Sequence, residues 1–404
     1  MQDLLFLAHR IPYPPNKGDK LRSYHILRFL SQHYRVHLGC FIDERADRKY
    51  VSKVKALCYE TCFIEHAPLA ARVRSLRGFA SGEALSLPYY RNATLATWVA
   101  TLLRHNPVRT ALAFSTPMAQ YLMGVTGVRR VIDFVDVDSE KWRQYAEARR
   151  WPLAAVYRRE ARALLAYERM VAQRFERTAF VSNAEAALFQ RLAPESHHKV
   201  AYFNNGVDAD YFTPHIVHRN PFCAGSLALV FTGAMDYWPN IDAVQWFARE
   251  VFAQLHAQHP ALRFYIVGAR PPAQVLALGR HPGVVVTGTV PDIRPYLAHA
   301  ALAVAPLRIA RGVQNKVLEA MAMQKVVLVS PQALEGISAR QGSEVLVAAD
   351  AGQFIAQVRA VLAAPSTRPM ALAARARVLS DYSWANNLGR LASLLQAGAP
   401  GEPQ

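Results

Sequence analysis

The stretch RIARGVQNKVLEAMAMQKVVLVS, residues 308–330, carries three features that bear on the fold. A basic loop leads to Gly312, a run of good helix formers follows, and the apolar run VVLVS closes the stretch. A loop, a helix and an apolar strand in this order are typical of a βαβ unit in a parallel sheet. We therefore predict a helix over VQNKVLEAMAM, with Gly312 at its entrance.

Charged residues cluster around the start of this predicted helix. Arg308, Arg311 and Lys316 are cations beside a helix N-terminus, whose free N–H groups and positive dipole end suit a phosphate. Glu319 follows Lys316 by three residues, on the same helical face, where its carboxylate could accept hydrogen bonds from sugar hydroxyls. The alternative is an exposed Lys316–Glu319 ion pair with no ligand. The chemistry of these residues alone leaves both interpretations open.

The rest of the chain alternates short apolar runs with helical segments. Continuous apolar strands between helices indicate parallel sheets covered on both faces, and two such series predict two doubly wound domains. The predicted strands are DLLFLA, RVHLGCF, TALAFS, VIDFVDV, TAFVS and KVAYF in the first half, and LALVFTG, LRFYIVG, GVVVTG, ALAVAP, VVLVS and EVLVA in the second.

A turn-rich segment near residues 204–221, which contains Asn205-Gly206, separates the two series. We predict a first domain over residues 1–205 and a second over residues 206–380. Residues 381–404 are predicted to form a helix that packs back on the first domain, and a frayed tail. Ligands of such sheets bind beyond the carboxyl ends of the strands, so we expect a site in the cleft between the domains.

Composition bounds the class of protein. No apolar run approaches the ~20 residues that span a bilayer, and the N-terminus lacks a basic signal-peptide region, so we expect a cytoplasmic protein.

The net charge of +17 is uneven, since residues 1–200 carry 31 basic and 18 acidic side chains. This excess favours an anionic partner, which could be nucleic acid, a phospholipid surface or a phosphorylated substrate. No G-x-G-x-x-G follows the first strand of either half, which disfavours an NAD enzyme.

Asp136 and Asp138 form a D-x-D pattern after a predicted strand, in FVDVDS. This pattern can hold a divalent cation on a diphosphate, but two carboxylates alone are a weak signal. Asp138 and Ser139 also suit the start of a helix, where they would cap it. We predict that Asp136 lies on the catalytic face and that no metal is bound.

Aromatic residues punctuate a basic helical segment over residues 141–174. Trp142, Tyr145, Trp151 and Tyr157 alternate with arginines there. Such interleaving is compatible with a nucleic-acid surface, a membrane-surface helix or core aromatics beside a solvated arginine face. We favour core aromatics first and membrane docking second, and we expect no nucleic-acid partner.

Several motifs together resemble one family. GVQNKVLEAMAMQKVVLVS resembles the donor-binding segment of retaining glycosyltransferases with the two-domain GT-B fold, of the family 4 type. The segments PPNKGDKLR, FVSNAEAALF, FNNGVDADYFTP, FTGAMDYWPN, YIVGARP and VTGTVPD are similar to other segments of these enzymes. As a set they resemble the sugar transferases that accompany bacterial exopolysaccharide and PEP-CTERM sorting systems.

The resemblance implies an α/β GT-B fold, with an acceptor-side domain over 1–205 and a nucleotide-sugar domain over 206–380. It also implies a role for each matching position. Glu319 would hold the nucleotide ribose, and Lys316 would lie near the phosphates. Val290 would lie where backbone groups read the base. Further donor-binding positions implied in this way are Gly18, Gly233, Arg308, Gly312, Val313, Gln314 and Asn315.

Three departures from the family pattern are visible. Arg311 stands where the family often has a glutamate, and an arginine could bind the diphosphate or an acidic sugar instead. The segment AMDYWPN lacks the basic residues that usually follow the first strand of the second domain. We hypothesise that Arg311 supplies this charge. Gln324-Lys325-Val326 also replaces the usual Gly-x-Pro before the next strand.

The predicted function is transfer of a sugar, with retention, from a nucleotide-sugar donor to a glycan or polyprenyl-linked acceptor. Asp136, Lys316 and Arg311 are the predicted catalytic residues, and neither a cofactor nor a metal is expected. The basic first domain suggests peripheral association with the anionic inner face of the plasma membrane. A nucleotide-sugar 2-epimerase, for which His9, Asp19 and Asp136 are the only acid/base candidates, and a non-catalytic partner in polysaccharide assembly are the alternatives.

Overall fold

The computed structural model describes residues 1–15, 18–147, 149–310, 312–364 and 366–396. The chain forms two compact units. The N-terminal domain comprises residues 1–204 and the C-terminal segment that begins at Asn387, and the C-terminal domain comprises residues 205–386.

The N-terminal domain is built on a seven-stranded sheet in the order β3-β2-β1-β4-β5-β6-β7. All its strand pairs are parallel. The strands are β1 (Gln2–Ala8), β2 (Tyr34–Ile42), β3 (Glu60–Glu65), β4 (Thr110–Phe114), β5 (Arg129–Val135), β6 (Arg177–Phe180) and β7 (Val200–Tyr202). The helices are α1 (Gly18–His33), α2 (Val51–Lys55), α3 (Pro68–Ser75), α4 (Arg77–Ser81), α5 (Ser86–Tyr89), α6 (Ala93–His105), α7 (Asp138–Glu147), α8 (Leu153–Arg174) and α9 (Asn183–Leu192).

The central strand β1 explains why this sheet is parallel and covered on both faces. Its residues from Leu4 to Ala8 are wholly buried, although successive side chains of a strand point to opposite faces. Leu4 pairs with Val36 on one side and with Thr110 on the other. An apolar run without alternation therefore indicated a strand with helices on both sides.

Strand β3 was missed by the sequence prediction, which placed six strands in the first half. Its sequence ETCFIE has a carboxylate at each end, and most of its residues are only half-buried. It lies at the edge of the sheet and pairs with β2 alone. An edge strand needs no continuous apolar run, so hydrophobic patterning gave little signal there.

A buried ion pair ties α1 to β5. The Arg22 guanidinium donates to both carboxylate oxygens of Asp133, at 2.7 and 3.2 Å, and to the carbonyl of Phe203 at 3.1 Å. Both charged side chains are fully buried. Because buried charges are tolerated only when they are paired and hydrogen-bonded, removing either partner would be strongly destabilising.

The C-terminal domain is built on a six-stranded parallel sheet in the order β10-β9-β8-β11-β12-β13. The strands are β8 (Leu227–Thr232), β9 (Leu262–Val267), β10 (Val284–Gly288), β11 (Leu302–Ala305), β12 (Val327–Val329) and β13 (Leu346–Val347). The helices are α10 (Trp238–Trp246), α11 (Ala253–Gln258), α12 (Ala273–Leu276), α13 (Arg294–His299), α14 (Asn315–Ala322), α15 (Pro331–Leu334), α16 (Ala351–Ala363) and α17 (Arg368–Asp381). The last helix, α18 (Trp384–Leu395), belongs to the N-terminal domain from Asn387 onward.

Both sheets have the doubly wound order in which the first strand of the domain lies in the middle. The prediction of two α/β domains with parallel sheets is therefore confirmed. In the part of the chain that the structure describes, no helix is long and apolar enough to cross a membrane.

Candidate functional site

Two glycines lie in contact at the carboxyl ends of the adjacent strands β8 and β9. Gly233, which follows β8, and Gly268, which follows β9, lie so close that a Cβ on Gly268 would be 1.7 Å from the carbonyl oxygen of Gly233. Gly233 has a φ of 155°, and its N–H donates to the carbonyl of Val267 at 3.0 Å. The sequence pointed to Gly233 alone. The signal for Gly268 was a second glycine that ends an adjacent strand, in YIVGARP.

Lys316 and Asn240 are the side chains that lie nearest to the Cα of Gly233 on the side where a Cβ would be. The Lys316 ammonium donates to Asn240 Oδ1 at 2.5 Å and lies 4.5 Å from the centre of the Phe231 ring. Asn240 is itself fixed, since its Nδ2 donates to the carbonyl of Ala234 at 2.8 Å. A Cβ on Gly233 would lie 2.9 Å from Asn240 Nδ2 and 3.3 Å from Lys316 Nζ. The absence of a Cβ at position 233 therefore lets an amide and a cation lie close to this backbone.

Helix α14 positions Lys316 and Glu319 one turn apart. It begins at Asn315, three residues later than the predicted entrance at Gly312. Burial lowers the pKa of Lys316 to about 7, although the nearby Glu319 carboxylate opposes this shift. Burial likewise raises the pKa of Glu319 to about 7, against the opposing effect of Lys316. Among the described residues, none donates a hydrogen bond to the Glu319 carboxylate, so it is available to accept one from a ligand.

The loop before α14, which contains Gly312, packs closely against a further glycine, Gly336. Gly312 has a φ of 65°, in the left-handed region that favours glycine. A Cβ on Gly336 would lie 2.6 Å from the Gly312 carbonyl oxygen and 3.0 Å from the Val313 nitrogen. Asn205 Nδ2 donates to Asn315 Oδ1 at 3.2 Å. Gly336 and Asn205 were not foreseen as supports of this loop, because nothing local to them marks the contact.

A polar group lies within electrostatic reach of Glu319. The Glu319 carboxylate contributes to the raised pKa of Tyr211, whose main cause is burial. The Arg294 guanidinium lies 3.7 Å from the centre of the Tyr211 ring and pairs with Asp292 at 2.7 Å. Val290 precedes this group and packs partly buried against the domain core. An aromatic ring and a cation therefore lie within electrostatic reach of the carboxylate predicted to hold the ribose.

The predicted cations have different environments. Arg308 forms a bidentate pair with Asp242, at 2.9 and 2.5 Å, which neutralises its charge. Arg311 lies outside the described residues. Arg270, which the sequence analysis did not consider, pairs with Asp236 at 2.7 Å and brings a cation to the loop after β8. The Met235 N–H bonds the Ala269 carbonyl at 2.8 Å, so the two strand-end loops run side by side.

In the N-terminal domain, Asp136 follows a strained strand end. Val135 has a φ of 72°, which is a real outlier for a β-branched residue. Burial raises the pKa of the Asp136 carboxyl to about 6, and its buried Oδ1 has no hydrogen-bond partner among the described residues. Such an orphaned carboxylate atom at the carboxyl end of a central strand is a functional-site candidate.

The second residue of the D-x-D pattern has a structural environment. Thr116 Oγ1 donates to the Asp138 carboxylate at 3.2 Å. The start of α7 is satisfied by buried glutamates, because Ser139 donates twice to Glu168 and the Val137 N–H donates to Glu185 at 2.8 Å. The cap expected from Asp138 and Ser139 themselves is thus supplied by α8 and α9. Within the described ranges no group of acids, histidines or cysteines is arranged to hold a metal ion.

Gly18 is the first residue of α1 and is exposed. The next residue, Asp19, accepts from His9 Nε2 at 3.2 Å and from Arg10 at 2.9 Å, and these bonds lower the pKa of its carboxyl. His9 stacks on Phe114 at 5.7 Å between ring centres. The glycine of the predicted N-domain loop therefore lies beside a polar cluster, with Arg10 and His9 already bound to Asp19.

Three of the four aromatics in the basic segment pack on each other. The rings of Trp142, Tyr145 and Tyr157 lie 5.1 to 6.4 Å apart, between α7 and α8. Trp151, between the two helices, is 82% exposed. The core interpretation thus fits the first three residues and does not fit Trp151.

Solved structures of other proteins have the same architecture as this chain. Sucrose-phosphate synthase from Thermosynechococcus elongatus is 14% identical with a TM-score of 0.71, and the match covers 98% of both chains. Anabaena HepE in complex with UDP-glucose is 13% identical with a TM-score of 0.69, over 98% of this chain and 99% of that one. WaaG, a glycosyltransferase involved in lipopolysaccharide biosynthesis, is 16% identical with a TM-score of 0.68, over 98% and 100%. The search of curated proteins gave no match.

These similarities show that the chain has the GT-B fold. Residues 226–364, which include Gly233, Gly268 and all of α14, match the family "Glycosyl transferases group 1". The matched region lies within the C-terminal domain and includes Lys316 and Glu319.

Proposed function

We propose that this enzyme transfers a hexosyl group from a nucleoside-diphosphate sugar to a glycan or polyprenyl-linked acceptor, with retention of the anomeric configuration. The observation that carries the proposal is the arrangement at Gly233. There the Asn240 amide and the Lys316 ammonium meet over the backbone of Gly233, at the carboxyl end of β8 and the N-terminus of α14.

Electrostatics support a diphosphate at this position. Lys316 is partly buried, and Asn240 Oδ1 is the one side-chain hydrogen-bond acceptor of its ammonium among the described residues, so a phosphate oxygen would gain a poorly solvated cation. The N-terminus of α14 adds free N–H groups. Glu319, one turn further along, is available to accept from the ribose hydroxyls. We propose that the base lies near Tyr211, Arg294 and Val290, because Tyr211 is within electrostatic reach of Glu319.

A uridine donor is the first choice. HepE was solved with UDP, with UDP and glucose, and with UDP-glucose. HepE has the same fold, so we propose that a donor of this kind binds here at Gly233 and the N-terminus of α14. We therefore propose UDP-glucose as the first donor to test, with other UDP and GDP sugars beside it.

Two arginines are candidates for the phosphate-binding cation that the segment AMDYWPN lacks. Arg311 follows from the sequence pattern, and Arg270 from its place beside the Gly233 loop. We propose that Arg311 contacts the diphosphate. If Arg311→Ala leaves the affinity for UDP unchanged while Arg270→Ala lowers it about tenfold, the assignment moves to Arg270.

The chemistry needs no side-chain nucleophile. Departure of the diphosphate concentrates negative charge on its oxygens, and Lys316, Arg311 and the α14 N–H groups would stabilise that charge. In the proposed step the acceptor oxygen bonds to the anomeric carbon on the face that the diphosphate leaves, and the departing phosphate takes the acceptor's proton. Asp136 would position the acceptor hydroxyl from the N-terminal domain. The remaining contribution is orientation of the two substrates.

The acceptor and pathway are inferred from sequence resemblance. We propose that the glycan is part of a bacterial exopolysaccharide, in a system related to PEP-CTERM sorting, and that the basic N-terminal domain associates with the anionic inner face of the plasma membrane.

The test is thermal unfolding of the full chain with a panel of nucleotide sugars. A true donor raises the midpoint, because it binds the folded state only. The donor identified in this way is then incubated with and without a polyprenyl-phosphate-linked glycan. Sugar transfer that requires the acceptor supports the proposal. Interconversion of the donor sugar without acceptor would identify an epimerase, and binding without either reaction would identify a non-catalytic partner.

A further inference from the structure

An unusual concentration of exposed apolar side chains lies on the helices α3 and α4. Leu69, Val73 and Leu76 are 77%, 70% and 58% exposed. They are spaced by four and three residues, so they share one face of the helical segment. Isolated exposed leucines are ordinary, but three neighbours on one helical face form a patch that water solvates poorly.

The opposite face of this segment is fixed to the domain. Ala71 and Gly78 are buried on that face. Arg74 donates to the carbonyls of Pro88 and Tyr89, at 2.7 and 3.0 Å. The orientation of the segment is thus set by its own packing and hydrogen bonds, and the apolar face is held outward.

Helix α8, which contacts this segment through Arg159, has further exposed apolar residues at and before its start. Arg159 of α8 donates to the Gly78 carbonyl, and its guanidinium lies 5.2 Å from the centre of the Phe79 ring. Trp151 and Leu153 lie about two turns before Arg159 and are both exposed, Trp151 by 82%. A tryptophan in this setting has the amphipathic ring that favours the headgroup region of a bilayer.

The charge around these apolar residues is of one sign. Residues 67–82 contain three arginines and residues 149–159 contain four, and neither stretch contains an aspartate or a glutamate. The flanking carboxylates are engaged, since Glu83 pairs with Arg91 and Glu160 accepts from the amides of Leu85 and Ser86. An exposed apolar face rimmed by arginines is complementary to an anionic lipid surface, whereas a nucleic acid would leave the leucines in water.

We propose that the face formed by Leu69, Val73, Leu76 and Trp151, which we call the docking face, inserts into the headgroup region of an anionic membrane. This inference extends the membrane association in the proposed function and locates it on α3, α4 and the segment before α8. Arg72 and Arg77 contact the lipid phosphates, and the apolar side chains enter the acyl boundary.

The test measures binding of the full chain, without donor, to vesicles of phosphatidylglycerol and phosphatidylcholine by co-sedimentation. The triple variant Leu69→Ser, Val73→Ser, Leu76→Ser should bind about tenfold or more weakly. The double variant Arg72→Gln, Arg77→Gln should lose about tenfold and become less sensitive to salt. The matched control is Val217→Ser, Leu276→Ser, Leu372→Ser, which changes three exposed apolar residues of the C-terminal domain and should bind normally.

Fluorescence gives an independent readout. Vesicles should shift the tryptophan emission to shorter wavelength, and Trp151→Phe should remove most of that shift while the other tryptophans remain. The proposal is overturned if the chain binds no vesicles, if it binds phosphatidylcholine alone equally well, or if the triple variant binds like the control. It is equally overturned if the triple variant abolishes a dimer, or if RNA binding responds to these substitutions and vesicle binding does not.

Failure of this inference is separable from failure of the proposed function. Thermal stabilisation by the donor is measured without vesicles, and the triple variant should retain it in full. A chain that binds vesicles but no nucleotide sugar would retain the docking face and lose the proposed activity.

Discussion

The carbonyl oxygen of Gly233 lies where the Cβ of any other residue at position 268 would be, at only 1.7 Å. No rotamer change relieves this overlap, because both groups belong to the backbone. We predict that Gly268→Ala lowers the free energy of unfolding by more than about 2 kcal/mol and also weakens donor binding. Chemical denaturation measures the first effect. Gly279→Ala is the matched control, since its Cβ would meet only Val286, at 4.0 Å. Equal stability of the two variants would contradict the backbone contact.

Substitutions of the two lysines of the C-terminal domain should distinguish a phosphate-binding residue, Lys316, from a structural one, Lys325. Burial lowers the pKa of both Lys316 and Lys325, but the Lys325 ammonium donates to the Ala298 carbonyl. We expect Lys316→Ala to lower the transfer rate by about 100-fold or more, because charge on the leaving group is no longer neutralised. Lys325→Ala should change stability and leave inhibition by inorganic pyrophosphate unaltered. A Lys316→Ala enzyme that retained most activity would exclude the phosphate role.

Glu319 should recognise the nucleoside and not the phosphates. We expect Glu319→Gln to weaken UDP binding by about tenfold, through loss of a charged hydrogen-bond acceptor. It should leave the affinity for inorganic pyrophosphate unchanged, whereas Lys316→Ala should weaken both ligands. Isothermal titration with the two ligands measures the difference. The assignment of the ribose to Glu319 does not survive if both ligands respond equally to Glu319→Gln.

Donor affinity should depend on pH through Lys316. The free enzyme has a Lys316 pKa of about 7, lowered by burial, and a bound diphosphate raises it. Binding therefore takes up a proton, and affinity falls as the pH rises above about 7, by at most about tenfold per pH unit. UDP-glucose is the suitable ligand, because its diester diphosphate does not titrate in this range. Calorimetry in buffers of different ionisation enthalpy measures the proton uptake.

Lys316→Arg is the control for this dependence. An arginine stays charged through pH 9, so the slope attributable to residue 316 should disappear. A variant that keeps the wild-type slope would assign the proton to another group, of which the neighbouring Glu319, with its pKa raised to about 7, is the first candidate.

The end of α14 offers a stabilising substitution. Gln324 has a φ of 56°, and the N–H of Lys325 bonds back to the Ala320 carbonyl at 3.0 Å, as in a helix end that usually has glycine. We expect Gln324→Gly to raise the free energy of unfolding by about 0.5–1 kcal/mol, by relieving the left-handed backbone. Gln254→Gly, inside α11, should lower it instead. Destabilisation by both substitutions would contradict the prediction.

The N-terminal strand β1 and the segment of α14 could be identified from neighbouring residues alone. An apolar run without alternation indicates a strand covered on both faces, and a loop glycine followed by helix formers indicates a strand-to-helix turn. Strand β3 was missed because an edge strand with polar ends lacks that pattern. The D-x-D pattern was ambiguous for a related reason, since the partners of Asp138 and Ser139 are Thr116 and Glu168, far away in the sequence.

The sequence by itself determined the parallel α/β character of both domains, the helix that carries Lys316 and Glu319, and the glycine at position 233. These depend on side-chain periodicity and on the conformational freedom of single residues, which are local properties. Only the tertiary structure decided that Asn240 holds Lys316, that Gly268 and Gly336 bring backbones together, and that Arg308 is neutralised by Asp242. Strand order brings these residues together although they lie 24 to 76 positions apart in the sequence. It also buries Lys316 and Glu319, and this burial shifts the pKa values of both side chains.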